Sequence, residues 1–551
     1  MKHIQSILLG GCLLAFVSCR QSSEEVKTTE KLPFEMPEVQ VPSFRADTFN
    51  LADFGAVADG RTLNTDAFAK AIETCARKGG GVVLVPPGFW LTGPVTLKSN
   101  VNLHLANGAF VQFSKDINDF PLVESYFEGV QAIRCQSPVT GRNLENVAIT
   151  GSGIFDGNGK YWSGFQREEL TEKQWKAQVA SGGVVVDNKR WYPSESSMIG
   201  NEKRELLPRN PTLENMQPFK RFLRPVMVSL VNCRKILLEG VTFQNSPAWN
   251  VNPLMCEHLT MRNLNIRNPW FSQNGDGLDL ESCRIGTITN CSFDVGDDAI
   301  CIKSGKGEEG RKRGIPTELF VIRDCTVYHG HGGFVVGSEM SGSVRKMFVS
   351  NCTFIGTDCG LRFKSLRGRG GVVEDIFMEN IRMVNIQTEA VRFNMFYGGK
   401  SFSKDPVTGD LLIDEMPVSD ETPVFRNIYF KNIICEGAGK AVMMQGIPEM
   451  PLENLQFSNV RLRSKEGITI NYANRVNFSN VELAIEGGDA VRISNSTQLV
   501  FDKFSSEGES KLFRISGSRT KDIHLKMADR KLSDGDITCR EELKPQIKLE
   551  E

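Results

Sequence analysis

Leu237-Leu-Glu-Gly-Val-Thr-Phe243, Thr260-Met-Arg-Asn-Leu-Asn-Ile266 and Thr287-Ile-Thr-Asn-Cys-Ser-Phe293 share one pattern. A short apolar/polar alternation meets a turn residue, and a second alternation follows. Six further segments repeat it: Val321–Val327, Phe348–Phe354, Phe377–Met383, Tyr429–Cys435, Gln456–Leu462 and Asn477–Leu483. The turn residues are Gly240, Asn263, Asn290, Asp324, Asn351, Asn380, Asn432, Asn459 and Asn480. Their successive spacings are about 23, 27, 34, 27, 29, 52, 27 and 21 residues, a solenoid period. The 52-residue gap reads as two coils, one with a degenerate motif.

Alternation sends every second side chain inward. An Asn or Asp between two strands tolerates the left-handed backbone of a sharp bend. Stacked coils align both features, so the pattern predicts an all-β parallel β-helix. A β-sandwich gives no reason for nine copies of one motif at coil spacing. Cys291, Cys325 and Cys352 share one phase and should stack inside as free thiols. No Cys/His spacing suggests zinc.

An open first coil would expose its core, so the N-terminal end needs a cap. Asn64 to Lys78 has helical periodicity, with Ala67, Phe68, Ala71, Ile72 and Cys75 on one face. Tyr161 to Phe222 breaks the repeat with a polar, tryptophan-containing insertion. It is expected to project from one face as a wall beside the cleft, with a short helix near Glu169–Gln178.

Lys2 and His3 precede an apolar run, Ile4–Val17, that is too short to span a bilayer. Ser18-Cys19 closes it in a way that resembles a bacterial lipoprotein signal, with Cys19 as the lipidated residue. The expected organisation is a signal over 1–18, a flexible tether over 19–45, the β-helix domain over 46–530 and a polar tail over 531–551. Export and lipid anchoring then follow, in the periplasm or at the outer-membrane surface of a Gram-negative-type cell. The lipid would be the only membrane contact. The 551 residues carry a formal net charge of −1. A charged partner must therefore be read by a local patch rather than a global field.

Four unusual motifs fall about 7–13 residues beyond successive turn residues: Asn274-Gly-Asp276, Gly296-Asp-Asp298, Gly330-His-Gly332 and Arg362-Phe-Lys364. Coil stacking should bring them together. Three crowded carboxylates raise at least one pKa. Stability gives little reason to build this, whereas glycoside hydrolysis needs one protonated and one ionised carboxyl. Lys303, Arg311, Arg313, Arg367, Arg369 and Arg392 add local positive charge. No aromatic stacking platform accompanies Arg367-Gly-Arg-Gly-Gly371, which argues against nucleic acid.

The ordered set resembles glycoside hydrolase family 28, the polygalacturonases and rhamnogalacturonan hydrolases, with Gly275 and Phe363 departing from Asn-Thr-Asp and Arg-Ile-Lys. Phe49-Asn-Leu-Ala-Asp-Phe-Gly-Ala-Val-Ala-Asp-Gly60 also resembles that family's start. The resemblance implies a right-handed helix and cleavage of galacturonic-acid linkages in pectic chains with inversion. It gives Asp297 as general acid, Asp276 and Asp298 as holders of the attacking water, and His331 as an orienting group. Inversion leads us to expect carboxyls roughly 6.5–9.5 Å apart. Asn274, Arg362, Lys364, Lys303 and Arg311 are expected at the sugar, with no metal or cofactor. The insertion favours exo action if it closes one end of the cleft. The competing functions are a pectate-lyase-like polysaccharide lyase and a non-catalytic carbohydrate-binding β-helix.

Overall fold

Alternating side chains and left-handed turn residues build a stack of coils in the computed structural model, which describes residues 31–397, 402–404 and 411–550. Residues 31–35 hold no helix or strand; the unit from Met36 onward is described below. It is a right-handed parallel β-helix. Each coil contributes to three parallel ladders. The first contains Val251–Leu254, Leu278–Glu281, Asp298–Lys303, Gly332–Val336 and Cys359–Lys364. The second contains Glu257–Arg262, Arg284–Thr289 and Thr317–Arg323. The third contains Asn265–Arg267, Ser292–Asp294 and Thr326–His329.

The repeated Asn turns join the second ladder to the third. Asn263, Asn290, Asp324, Asn351, Asn380, Asn432, Asn459 and Asn480 all have φ between 53° and 57°. Asn290 Nδ2 donates to Asn263 Oδ1 at 2.7 Å, and Asn459 donates to Asn432 at 3.2 Å. Each amide thus satisfies its neighbour while occupying a backbone region costly for most side chains.

Inward residues stack in files. Phe430, Phe457, Phe478 and Phe501 follow one another with ring centroids 4.3, 4.7 and 4.8 Å apart. Cys291, Cys325 and Cys352 are buried as expected, and the twelve cysteines among the described residues are free thiols. A second thiol file, Cys233, Cys256 and Cys283, lines the turn after the first ladder; Cys256 N–H lies 3.3 Å from Cys283 Sγ. The expected cap is present. Helix α1, Thr65–Arg77, buries Ala67, Phe68, Ala71, Ile72 and Cys75.

Four departures from the sequence reading have clear causes. The 52-residue gap is one coil, because Ile381 pairs directly with Ile433 and Asn432 donates to Asn380 at 2.9 Å. The surplus chain leaves the stack after Asn394 and rejoins it at Val424. The expected polar tail continues the helix: Ile537–Cys539 and Ile547–Leu549 add parallel strands, and Leu543 is buried between them. Part of the expected tether packs back on the helix, where Pro42 is buried and Gln40 N–H donates to His258 Nδ1 at 3.2 Å. An antiparallel hairpin, Leu122–Phe127 with Val130–Cys135, projects from an early coil. Cys19 lies outside the described residues.

The insertion has its own small core. Helix α2, Glu172–Ala180, and helix α3, Glu195–Glu202, flank a three-stranded antiparallel sheet. Trp175 and Trp191 are buried in it, whereas Trp162 packs into the core of the β-helix against Phe120.

Phe430→Ala should lower stability by about 3–5 kcal/mol, because a fully buried ring is replaced by a cavity inside a file that cannot collapse along its axis. Chemical denaturation of the two proteins measures this, and a loss below about 1 kcal/mol would show that the files do not hold the coils together.

Candidate active site

The four motifs sit where the third ladder returns to the first. Leu278 pairs with Ile300, Asp298 with Gly332, and Gly332 with Cys359. Gly277 N–H donates to Asp298 O at 2.9 Å, and His331 N–H to Asp297 O at 2.9 Å. Residues 22, 34 and 27 positions apart in the chain therefore become neighbours about 4.8 Å apart. The departure at Gly275 has a packing cause. A Cβ there would collide with both Ser272 Oγ and Ser272 O, since the loop folds tightly before Asp276.

Asp276, Asp297 and Asp298 each present a carboxylate oxygen within 4.8 Å of the others. Their environments differ sharply. Burial pushes the Asp276 carboxyl well above its ordinary range, and repulsion from Asp279 and Asp297 adds to it. Asp276 Oδ1 has no hydrogen-bond partner among the described residues. Burial also pushes Asp298 upward, but Lys364 Nζ at 2.6 Å and Arg362 Nη1 at 3.5 Å outweigh it and hold that carboxyl down to about 2. Asp297 is the most exposed of the three. Its Oδ1 accepts Asp298 N–H at 2.9 Å and lies 3.2 Å from His331 Nδ1. That contact raises the His331 pKa against the opposing effect of burial. The second ring nitrogen of His331 is 3.6 Å from Asp358 Oδ2.

Six of the nine residues expected at the reacting bond or the sugar form this cluster: Asp276, Asp297, Asp298, His331, Arg362 and Lys364. Both cations also face Tyr397, with the ring centroid 5.9 Å from Arg362 Cζ and 5.5 Å from Lys364 Nζ. Asn274 is adjacent, but its Oδ1 accepts from Arg224 Nη2 at 2.9 Å.

Lys303 and Arg311 are placed otherwise. Lys303 is sealed under Trp249, its Nζ 2.8 Å from Asp279 and 3.8 Å from Asp276. Arg311 ties helix α4, Gly307–Arg313, to Asp420 and Glu421 at 3.1 Å each. Of the remaining cations, Arg313 pairs with Glu281, Arg367 with Glu449 and Arg392 with Glu389. Their charge is spent on the fold, which the count of basic residues alone could not reveal.

The cleft floor ends abruptly on one side. Val251 pairs with Leu278, which puts Trp249 one coil before Asp276 in the same file. Phe127, at the hairpin, stacks on Trp249 with centroids 4.7 Å apart and planes at 25°. Arg134 Cζ lies 3.8 Å from the Phe127 ring, and its Nη2 donates to Arg224 O. Arg224 in turn donates to Gln273 O at 2.8 Å. The hairpin thus occupies the floor, the insertion stands beside it with Phe165 6.1 Å from Phe271, and the chain just after the insertion braces the loop before Asp276. Trp249 could have been found by counting back one coil from Asp276. Phe127, Arg224 and Tyr397 lie on segments without repeat phase and carry no such signal.

Residues 217–483 match the glycosyl hydrolases family 28. The chain is 30% identical over 471 residues to a probable polygalacturonase of Vitis vinifera, covering 84% of this chain and 82% of that one. It is 26% identical to an exo-poly-alpha-D-galacturonosidase of Dickeya chrysanthemi, over 78% and 70% of the two chains. A hyperthermoactive exopolygalacturonase from Thermotoga maritima superposes with a TM-score of 0.67 at 32% identity, covering 81% of this chain and 93% of that one. With its coil architecture and ordered motifs, this chain belongs to glycosyl hydrolase family 28.

Proposed function

We propose that the protein hydrolyses α-glycosidic bonds of galacturonic acid in pectic chains, acting from a chain end with inversion. One observation carries this reading. Three carboxylates in distinct electrostatic environments, brought together by neighbouring strands of one ladder, adjoin two cations that Tyr397 faces from the turn after Asn394. Asp297, the most exposed and the one beside His331, protonates the leaving glycosidic oxygen. Asp276 and Asp298 hold the attacking water and take its proton. Arg362 and Lys364 offer a fork and a point charge to a uronate carboxylate, and Tyr397 covers them. His331, between Asp297 and Asp358, orients the acid.

The lyase alternative needs an Arg or Lys base for proton abstraction. Lys364 and Arg362 are instead engaged by Asp298, which supports hydrolysis. Exo action is supported by Phe127 on Trp249, which leaves no open floor beyond Asp276 for further sugars.

The proposal extends to cell placement. The apolar run before Ser18-Cys19 supports export and a lipid on Cys19. Cys19→Ser should move the protein from the membrane fraction to the soluble fraction, and unchanged fractionation would remove the anchor.

Asp297→Asn should lower kcat on oligogalacturonates by about 10²-fold or more, with the fold intact, because the leaving oxygen loses its proton donor. Activity within a few-fold of wild type would take Asp297 out of that role.

Product analysis tests bond, stereochemistry and direction together. Polygalacturonate should yield single galacturonate units at early times, with the inverted anomer seen first by NMR. Fully methyl-esterified chains should be poor substrates. Replacing the hairpin residues 124–133 with a short turn should produce mid-length oligomers. A wild-type enzyme that gives those oligomers at once would exclude the end-directed reading, and a retained anomer would exclude inversion.

A further inference from the structure

Lys303 ends the Asp298–Lys303 strand with its ammonium sealed from solvent, the residue being 4% exposed. Its Nζ lies 2.8 Å from Asp279 Oδ1, 3.8 Å from Asp276 Oδ2 and 3.8 Å from Glu339 Oε2. Trp249 covers it, with its ring centroid 3.8 Å from Nζ. Trp249 also carries Phe127, so the contact that closes the cleft closes over this charge as well. Burying a lone ammonium is costly, and three surrounding carboxylates compensate it. Asp279 and Glu339 would suffice for neutralisation. Asp276, the third, belongs to the reacting trio and is too far for a hydrogen bond. Lys303 therefore acts on it through space, in a region from which water is excluded.

We infer that Lys303 is a positioning residue of the reaction, easing ionisation of the Asp276 carboxylate and holding it in place under the cover of Trp249, without touching the sugar. The inference rests on the proposed role of Asp276 as a holder of the attacking water. The charges around Asp276 make the need plain. Asp279, Asp297 and Asp298 all oppose its ionisation, as does burial. Lys303 favours ionisation, and Arg224 lies near enough to be favoured in turn by the Asp276 charge. Lys303 itself faces Asp279, Cys301, Asp276 and Glu339, which keep it charged despite burial. Glu339 is shared with Arg369, whose Nη2 is 3.8 Å from Glu339 Oε1.

The sign of the effect follows. Asp276 must be ionised to accept a proton, so it sets an acidic limb in the kcat/KM profile, with activity rising as pH rises. Removing the Lys303 charge raises the Asp276 pKa and moves that limb to higher pH. Removing the Glu339 charge leaves Lys303 and Arg369 less neutralised, lowers the Asp276 pKa and moves the limb to lower pH. A nearby opposite charge shifts a carboxyl by about 1–3 units, which sets the size expected for Lys303→Met. The Glu339→Gln shift should be smaller, because Glu339 acts through Lys303.

The experiment is the pH dependence of kcat/KM on a galacturonate oligomer for wild type, Lys303→Met and Glu339→Gln, with Asp276→Asn as reference. Limbs that move in opposite directions, upward for Lys303→Met and downward for Glu339→Gln, are expected; general damage to the fold would not produce opposite signs. Limbs that stay in place, or move the same way, overturn the inference. If Lys303→Met does not fold, Glu339→Gln decides alone: a downward shift sustains the inference, while no shift or an upward one overturns it. An Asp276→Asn enzyme that keeps its activity would overturn the role of Asp276 itself. An inactive one with unmoved limbs in the other variants would overturn only the role of Lys303.

Discussion

The parallel register of the first ladder is the constraint on which the site depends. Leu278 against Ile300, Asp298 against Gly332 and Gly332 against Cys359 convert chain distances of tens of residues into neighbouring strands. A one-residue slip between coils would turn every outward side chain into the core. The Asn turns resist that slip where the second ladder passes to the third, and from Phe430 to Phe501 the phenylalanine file beside them does so too. Catalytic geometry here is therefore a by-product of core packing, held by interactions far from the reacting atoms.

Within that frame, unequal environments give chemically identical groups different tasks. Asp298 faces Lys364 and Arg362 and stays ionised; Asp276 is buried among carboxylates and resists ionisation. Asp297 is the most exposed and shares its oxygen with His331. Charges from several elements supply these differences: Arg362 and Lys364 from following coils, Arg224 from the chain after the insertion, Lys303 from under Trp249. Low exposure strengthens each of these terms relative to water.

The closure of the cleft and the charge beneath it share a residue. Trp249 is stacked by Phe127 on the hairpin and lies over Lys303. The element that ends the floor thereby also shields the ammonium from water. Arg134, packed against Phe127 and bonded to the Arg224 carbonyl, joins the hairpin to the loop that carries Asn274. The end of the floor and the electrostatics of the site are coupled through this one contact.

The sequence alone determined the coil, because its inward side chains and turn residues repeat at a fixed phase. Asn263, Asn290 and their successors specify the bend, and the phase carries Asp276, Asp297, Asp298, His331, Arg362 and Lys364 to one place. The α1 cap was equally legible, since its apolar face has helical period. Tertiary structure decided what has no phase. The gap before Asn432 is an excursion rather than a coil, because strand pairing, not chain length, defines a turn of the helix. Lys303 and Arg311 look like their neighbours in sequence, yet one is buried under Trp249 and the other is paired with Asp420 and Glu421. Whether a cation meets substrate or fold depends on partners far away in the chain, and neither spacing nor composition encodes those meetings. The hairpin reaches Trp249 across 122 positions of chain, a contact made by long-range packing rather than by any local pattern.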